Sequence, residues 1–158
     1  MGVEARLAEL GLTVPEVVPP VAAYVPAVQV GSLVYTAGQL PMRDGSLIAT
    51  GKVGGDVSPE VATECARQCA LNALAAIRSV VSTGSTSDGL DRVRIVKVVV
   101  FVASTTDFTG QPGIANGASN LFGDVFGDAG VHARSAVGVP VLPLDAPVEV
   151  EVIAEIVG

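Results

Sequence analysis

The residues best equipped for chemistry sit near the end of the chain, in HARSAVGVPVLPLDAPVEVEVIAEI, from His132 to Ile156. Arg134 opens this stretch as an isolated cation among small and apolar neighbours, in a chain with only nine lysines and arginines. A planar guanidinium offers a rigid fork of donors suited to two-point contact with a carboxylate. The plainer role is a structural ion pair to Asp128, Asp145 or a neighbouring chain. Glu149 and Glu151 stand two apart on what reads as a strand, so they share one face. They are carboxylates available to a site, or an ordinary solvated face.

Supply excludes several mechanisms. The single histidine, His132, cannot build a histidine-rich zinc site, and Cys65 with Cys69 cannot complete one alone. No GxSxG elbow is present to serve a Ser-His-Asp arrangement. The glycines of GKVGGD lack the strand-to-helix setting that phosphate cradling needs. Cys65 and Cys69 are four apart in a helical pattern, which reads as small residues packed in a core rather than a disulfide. What remains is a site of arginine, carboxylates, hydroxyls and backbone amides.

The composition narrows the partners. With sixteen acidic against nine basic residues the net charge is -7, and no basic cluster is interleaved with aromatics. Such a chain repels a phosphate backbone and lacks the basic face of an interfacial helix, so neither nucleic acid nor a membrane is expected as partner. No apolar run approaches the roughly 20 residues of a membrane span. Charges in MGVEARLAELGL stand where a signal peptide would be apolar, so a cytoplasmic location is expected. Hydrophobic residues make up 49% of the 158 and charged residues 16%. That apolar excess points to a buried subunit interface.

The elements that must position these groups follow from periodicity. VEARLAEL, closed by Gly11, has the spacing of a short amphipathic helix and continues into proline-rich TVPEVVPP, together a helical arm over residues 1–20 expected on the surface. Residues 21–158 read as one domain. In it, YVPAVQVGSLVYTAGQLP predicts two short strands about a turn at Gly31 and Ser32, ended by Pro41 and the RDGS turn. Ser58, Pro59 and Glu60 predict a capped helix start, and an apolar stripe carries the helix to about Ser82. TGSTSDG is a connection of turn formers. RVRIVKVVVFV predicts a strand covered on both faces, and a second helix is expected between about Gly113 and Phe126. ARSAVGVPVL and PVEVEVIAEI predict two closing strands joined around Pro143, Leu144 and Asp145. The order β-β-α-β-α-β-β is an α+β fold with helices on one face of a mostly antiparallel sheet. The other face would be apolar and bare in a monomer, and a closed trimer is one way to bury it.

These stretches resemble the Rid/YjgF family of reactive intermediate deaminases, also labelled endoribonuclease L-PSP. The likeness rests on YVPAVQVGSLVYTAGQLP, on DFTGQP, and above all on the ARS opening, with a proline nine residues and a glutamate fifteen residues after Arg134. It implies a chorismate mutase-like fold, a homotrimer with clefts between subunits, and hydrolysis of small 2-imino or enamine carboxylates to 2-keto acids and ammonia, with no metal or organic cofactor. In that family the arginine matching Arg134 holds the substrate carboxylate, and the glutamate matching Glu149 helps place the attacking water. Tyr24 matches the cleft tyrosine, and Ala37 and Gly38 match the segment lining the cleft. Asn116, Ser119 and Asn120 are candidates for the position from which other members contribute an asparagine. Ala37 stands where many members have serine, and Gly138 where a glutamate is common. The implied ligand is a small carboxylate-bearing metabolite. The alternatives are a non-catalytic binding protein using the same cleft and, less favoured by the charge, an endoribonuclease.

A hairpin of the two closing strands would pair Glu149 near Gly138 or Val139. That leaves it four or five residues from Arg134, roughly 13 to 17 Å, too far for one small substrate to touch both. A working pair then needs a subunit interface or an irregular register.

Overall fold

The computed structural model describes residues 1–20, 22–81 and 89–158; the TGSTSDG connection, apart from Gly89, lies outside the described residues. Two helices cover one face of a five-stranded sheet. The strands are β1 (Ala27–Val30), β2 (Leu33–Thr36), β5 (Val93–Ala103), β6 (Ala133–Val139) and β7 (Val148–Ile156), in the order β1-β2-β7-β5-β6. Only β5 and β6 run parallel; the other pairings are antiparallel. A separate ribbon of β3 (Met42–Arg43) and β4 (Ser46–Leu47) brackets the RDGS turn. Among the described residues no helix is long and apolar enough to cross a membrane.

Helix α2 (Pro59–Val81) begins where its sequence predicts, with the Ser58 hydroxyl accepting the Val61 N–H at 3.2 Å. It buries Cys65, Cys69, Leu74 and Ile77 among many alanines against the sheet and helix α3 (Gln111–Phe126). Both cysteines are free. Burial pushes the Cys65 thiol up to about 11 and that of Cys69 well above its ordinary value, so neither is a ready thiolate. The two helices come into backbone contact at Gly117 of α3, where a Cβ would collide with the Thr63 carbonyl.

Strand β5 explains its own mixed pattern. Val93 and Ile95 are buried, and then the parity changes so that Val98, Val100 and Val102 are buried instead. A bulge between Ile95 and Lys97 makes the change. Had the alternation continued, Lys97 would point into the core; instead its ammonium reaches the Ser135 hydroxyl at 3.3 Å on the opposite face. That opposite face carries Tyr35, Val99, Phe101, Val137 and Ile153 interleaved with Glu149, Glu151 and Glu155, and no element of the described chain covers it.

The closing stretch is not the hairpin its sequence suggests. Strand β6 lies at the sheet edge beside β5, while β7 inserts between β5 and β2, so β5 separates the two. The physical reason is the route of the chain. Helix α3 supplies the crossover that a parallel β5–β6 pair requires, and the link from Pro140 to Pro147 contains three prolines and a 3-10 turn at Pro143–Asp145, too long and too poor in N–H groups for a tight hairpin.

The opening helix α1 (Val3–Glu9) lies closer in than a surface arm. Leu7 is 1% exposed and belongs to the core. The Val3 N–H donates to Asp91 at 2.6 Å, Arg6 donates to the Asp124 carbonyl at 2.9 Å, and Arg78 bonds both Glu4 and the Pro15 carbonyl at 3.2 Å.

Replacing Gly117 with alanine forces α2 and α3 apart at a backbone carbonyl that has no side chain to swing away. Loss of roughly 1–3 kcal/mol is expected in urea unfolding; an unchanged midpoint would show that the helices can separate freely.

Candidate functional site

Arg134 is the second residue of β6, level with Val98 of β5. Partners across a parallel pair point to the same side, and Ala136 of the same strand packs against the core, so Arg134 faces the helix layer. Its guanidinium lies along α3. Nη1 donates to Asn116 Oδ1 at 2.8 Å and to Ser119 Oγ at 3.1 Å, and Nη2 donates to the Pro112 carbonyl at 3.3 Å. Asn116 and Ser119 are three apart on one helix and therefore present neighbouring acceptors. Asn120 is exposed on α3 and is not among these partners.

All three acceptors are neutral. Among the described residues Arg134 forms no ion pair, and Asp145 pairs instead with Lys52 at 3.2 Å. The guanidinium is thus oriented by dipoles with its charge left uncompensated, which suits an anion that arrives from solution. Gly138, two turns of the pleat further on, leaves its space to Gln111 and Ser104, whose side chains bond at 3.2 Å; a glutamate there would meet both.

Glu149 belongs to a different group. Val148, Val150 and Val152 are buried beneath the helices, so Glu149 and Glu151 point to the uncovered face. The Glu149 carboxylate rests on Gly38, whose missing side chain is what admits it. Gly38 is held there by its neighbour: Gln39 exchanges backbone hydrogen bonds with Val150 at 2.8 and 3.0 Å. Burial, and secondarily the nearby Glu151, raise the Glu149 carboxyl above its ordinary 4.5. Tyr24 and Gly38 line a cavity of about 120 Å³ with Pro26, Leu40, Met42 and Leu144. Ala37 is half-buried beside it.

The candidate residues therefore fall into two sets, Arg134 with Asn116 and Ser119, and Glu149 with Gly38, which also lines the Tyr24 cavity. The Arg134 and Glu149 side chains point to opposite faces of the sheet. Arg134 is level with Val152 through Val98, two strands and three residues from Glu149, or roughly 14 Å.

Two contributors escape a reading of the sequence. Asn72, buried on α2, donates to the Leu40 and Met42 carbonyls at 2.9 and 3.0 Å and accepts from Gln68 at 3.1 Å, which anchors the cavity wall. Two amides four apart in an apolar stripe are the signal that could have found them. His132 is the other: its Nε2 lies 2.9 Å from Ser119 Oγ, behind the arginine. Among the described residues no three His, Cys, Asp or Glu side chains converge as metal ligands would.

Comparison with known proteins agrees with this architecture. The family model described as Endoribonuclease L-PSP matches residues 14–156. Protein TCP17 of Trypanosoma cruzi is 40% identical over 98% of this chain and 94% of its own length. A crystallised Agrobacterium tumefaciens protein of unknown function is 42% identical with a TM-score of 0.87, over 98% of this chain and 91% of that one. The 2-iminobutanoate/2-iminopropanoate deaminase of Salmonella typhimurium is 35% identical over 83% of this chain and 85% of its own. With a family model spanning nearly all of the sheet and both of its covering helices, the chain belongs to the endoribonuclease L-PSP family, the Rid/YjgF family.

Proposed function

We propose that the chain hydrolyses small 2-imino or enamine carboxylates to 2-keto acids and ammonia, in clefts between the subunits of a homotrimer. The observation that carries this reading is the uncompensated Arg134 guanidinium, held by neutral acceptors as a carboxylate anchor. Arg134 binds the substrate carboxylate by its fork, and Glu149 of another copy, ionised, takes a proton from the water that attacks the imine carbon. The imine nitrogen takes up a proton from solvent as the water adds, and Glu149 then gives its proton to the resulting amine; the tetrahedral intermediate collapses to the keto group and ammonia, the hydroxyl proton returning to solvent. The separation of the two sets within one chain supports a shared cleft, since one small substrate meets both only between copies. Tyr24 and Gly38 shape the wall beside Glu149.

One observation favours a second reading. Ala37 removes a hydroxyl that many relatives place in the cleft, which suits a module that binds a carboxylate metabolite without turnover. Endoribonuclease activity is the least supported, because a chain of net charge -7 repels a phosphate backbone.

The reaction is followed by generating imines with an amino-acid oxidase and measuring ammonia release. Arg134→Ala should lower kcat/KM roughly 100-fold, and Arg134→Lys should recover only part of it because the fork is lost. Equal rates for wild type and Arg134→Ala would discard the anchor. Calorimetric 2-keto acid binding without turnover on any imine would establish the binding module.

Glu149→Gln is expected to reduce kcat about 100-fold. Gly38→Ala should do likewise with little change in KM, because the new methyl displaces the carboxylate rather than the anchor.

The base works only when ionised, so activity falls as pH drops through the raised Glu149 pKa, at a pH above the ordinary 4.5. Glu151→Gln removes the smaller cause and should move this acid limb down part of the way. A limb that does not respond would exclude Glu149 as the titrating base.

A further inference from the structure

Arg134 shares one acceptor with His132. The distance from Arg134 Nη1 to Ser119 Oγ is 3.1 Å, and from Ser119 Oγ to His132 Nε2 it is 2.9 Å. The other ring nitrogen, Nδ1, lies 2.6 Å from the Gly130 carbonyl. A carbonyl can only accept, so Nδ1 carries the proton, and in the neutral ring Nε2 is an acceptor. The single hydroxyl proton of Ser119 therefore goes to Nε2. That leaves the Oγ lone pairs for Arg134. The imidazole is held in its plane by Phe122, which meets it edge to face with centroids 5.8 Å apart at 89°.

We infer that His132 is a positioning residue for the anion anchor: it aims the Ser119 hydroxyl away from Arg134, so that Oγ accepts from the guanidinium and holds it along α3. The inference rests on the proposed role of Arg134 as that anchor. Without the imidazole the Ser119 hydroxyl rotates freely and can turn its proton toward Arg134, where two donors then oppose each other. Nη1 keeps Asn116 as its one dependable side-chain acceptor, and the fork no longer meets a carboxylate in a single orientation. The effect falls on binding rather than on the chemical step, because His132 reaches the anchor only by way of the Ser119 hydroxyl.

Five proteins test this: wild type, His132→Ala, His132→Gln, Ser119→Ala and the His132→Ala/Ser119→Ala double variant that completes a cycle. KM and kcat are measured for imine hydrolysis, ¹⁵N spectra are recorded for the His132 ring and the Arg134 side chain, and Tm is taken as the control for folding. The expected result is a ring protonated at Nδ1, and a KM raised about tenfold in His132→Ala with kcat nearly unchanged. Most of the loss returns in His132→Gln, whose amide oxygen can accept from Ser119. The double variant should be no worse than Ser119→Ala, since both act through one hydrogen bond. Protonation at Nε2 would overturn the inference. So would a His132→Ala protein with a lowered Tm but the wild-type KM and Arg134 spectrum, which would make the histidine a packing residue only. If the wild type neither hydrolyses imines nor binds a 2-keto acid, the proposed function fails. The Arg134 spectrum of His132→Ala still decides the role of His132, by shifting or by staying as it is.

Discussion

Strand β5 needs a partner along each edge, and it takes one of each kind: β7 antiparallel and β6 parallel. A parallel neighbour demands a crossover, and α3 is that crossover, laid on the same face as the first residues of β6. Arg134 consequently emerges beneath α3 and finds Asn116, Ser119 and the Pro112 carbonyl waiting. The antiparallel neighbour arrives on the other edge and is buried on the helix side by its valines, which turns Glu149 and Glu151 outward. One pairing decision thus assigns the cation and the carboxylates to opposite sides of the sheet.

That assignment has an electrostatic consequence. Opposite charges on the same face of neighbouring strands would tend to neutralise each other; here the sheet keeps them apart. Arg134 is left with neutral acceptors, and Glu149 with a like-charged neighbour in a half-buried setting that raises its carboxyl. Among the described residues neither group forms an ion pair. The packing that positions them is otherwise ordinary. Small residues let α2 and α3 approach at Gly117, Asn72 ties the Leu40–Met42 turn to α2, and the bulge in β5 keeps Lys97 out of the core.

Much of the fold is legible in local patterns, because capping, helical stripes and turn residues act over a few positions. Ser58, Pro59 and Glu60 announce α2, Gly31 and Ser32 announce the first turn, and valine alternation announces β7. The pairing of β6 is not legible in this way. ARSAVGVPVL reads equally well as the first arm of a hairpin or as an edge strand, since strand propensity carries no information about which neighbour a strand adopts. The docking of α1 is similarly hidden: Val3 and Leu7 show an apolar face without showing what they cover.

The site divides along the same line. By itself, the sequence determined which chemistry is available: an isolated arginine for anions, two outward carboxylates, one histidine and no metal-binding set, because residue type alone limits charge, donors and acceptors. The tertiary structure decided which of these groups meet. It joined Arg134 to Asn116, Ser119 and His132, placed Glu149 over Gly38, and separated the two sets by a strand and a face. The physical reason is that side-chain direction depends on strand pairing and on a one-residue bulge. Both are settled by non-local burial, and a one-residue shift in either sends a side chain to the other side of the sheet.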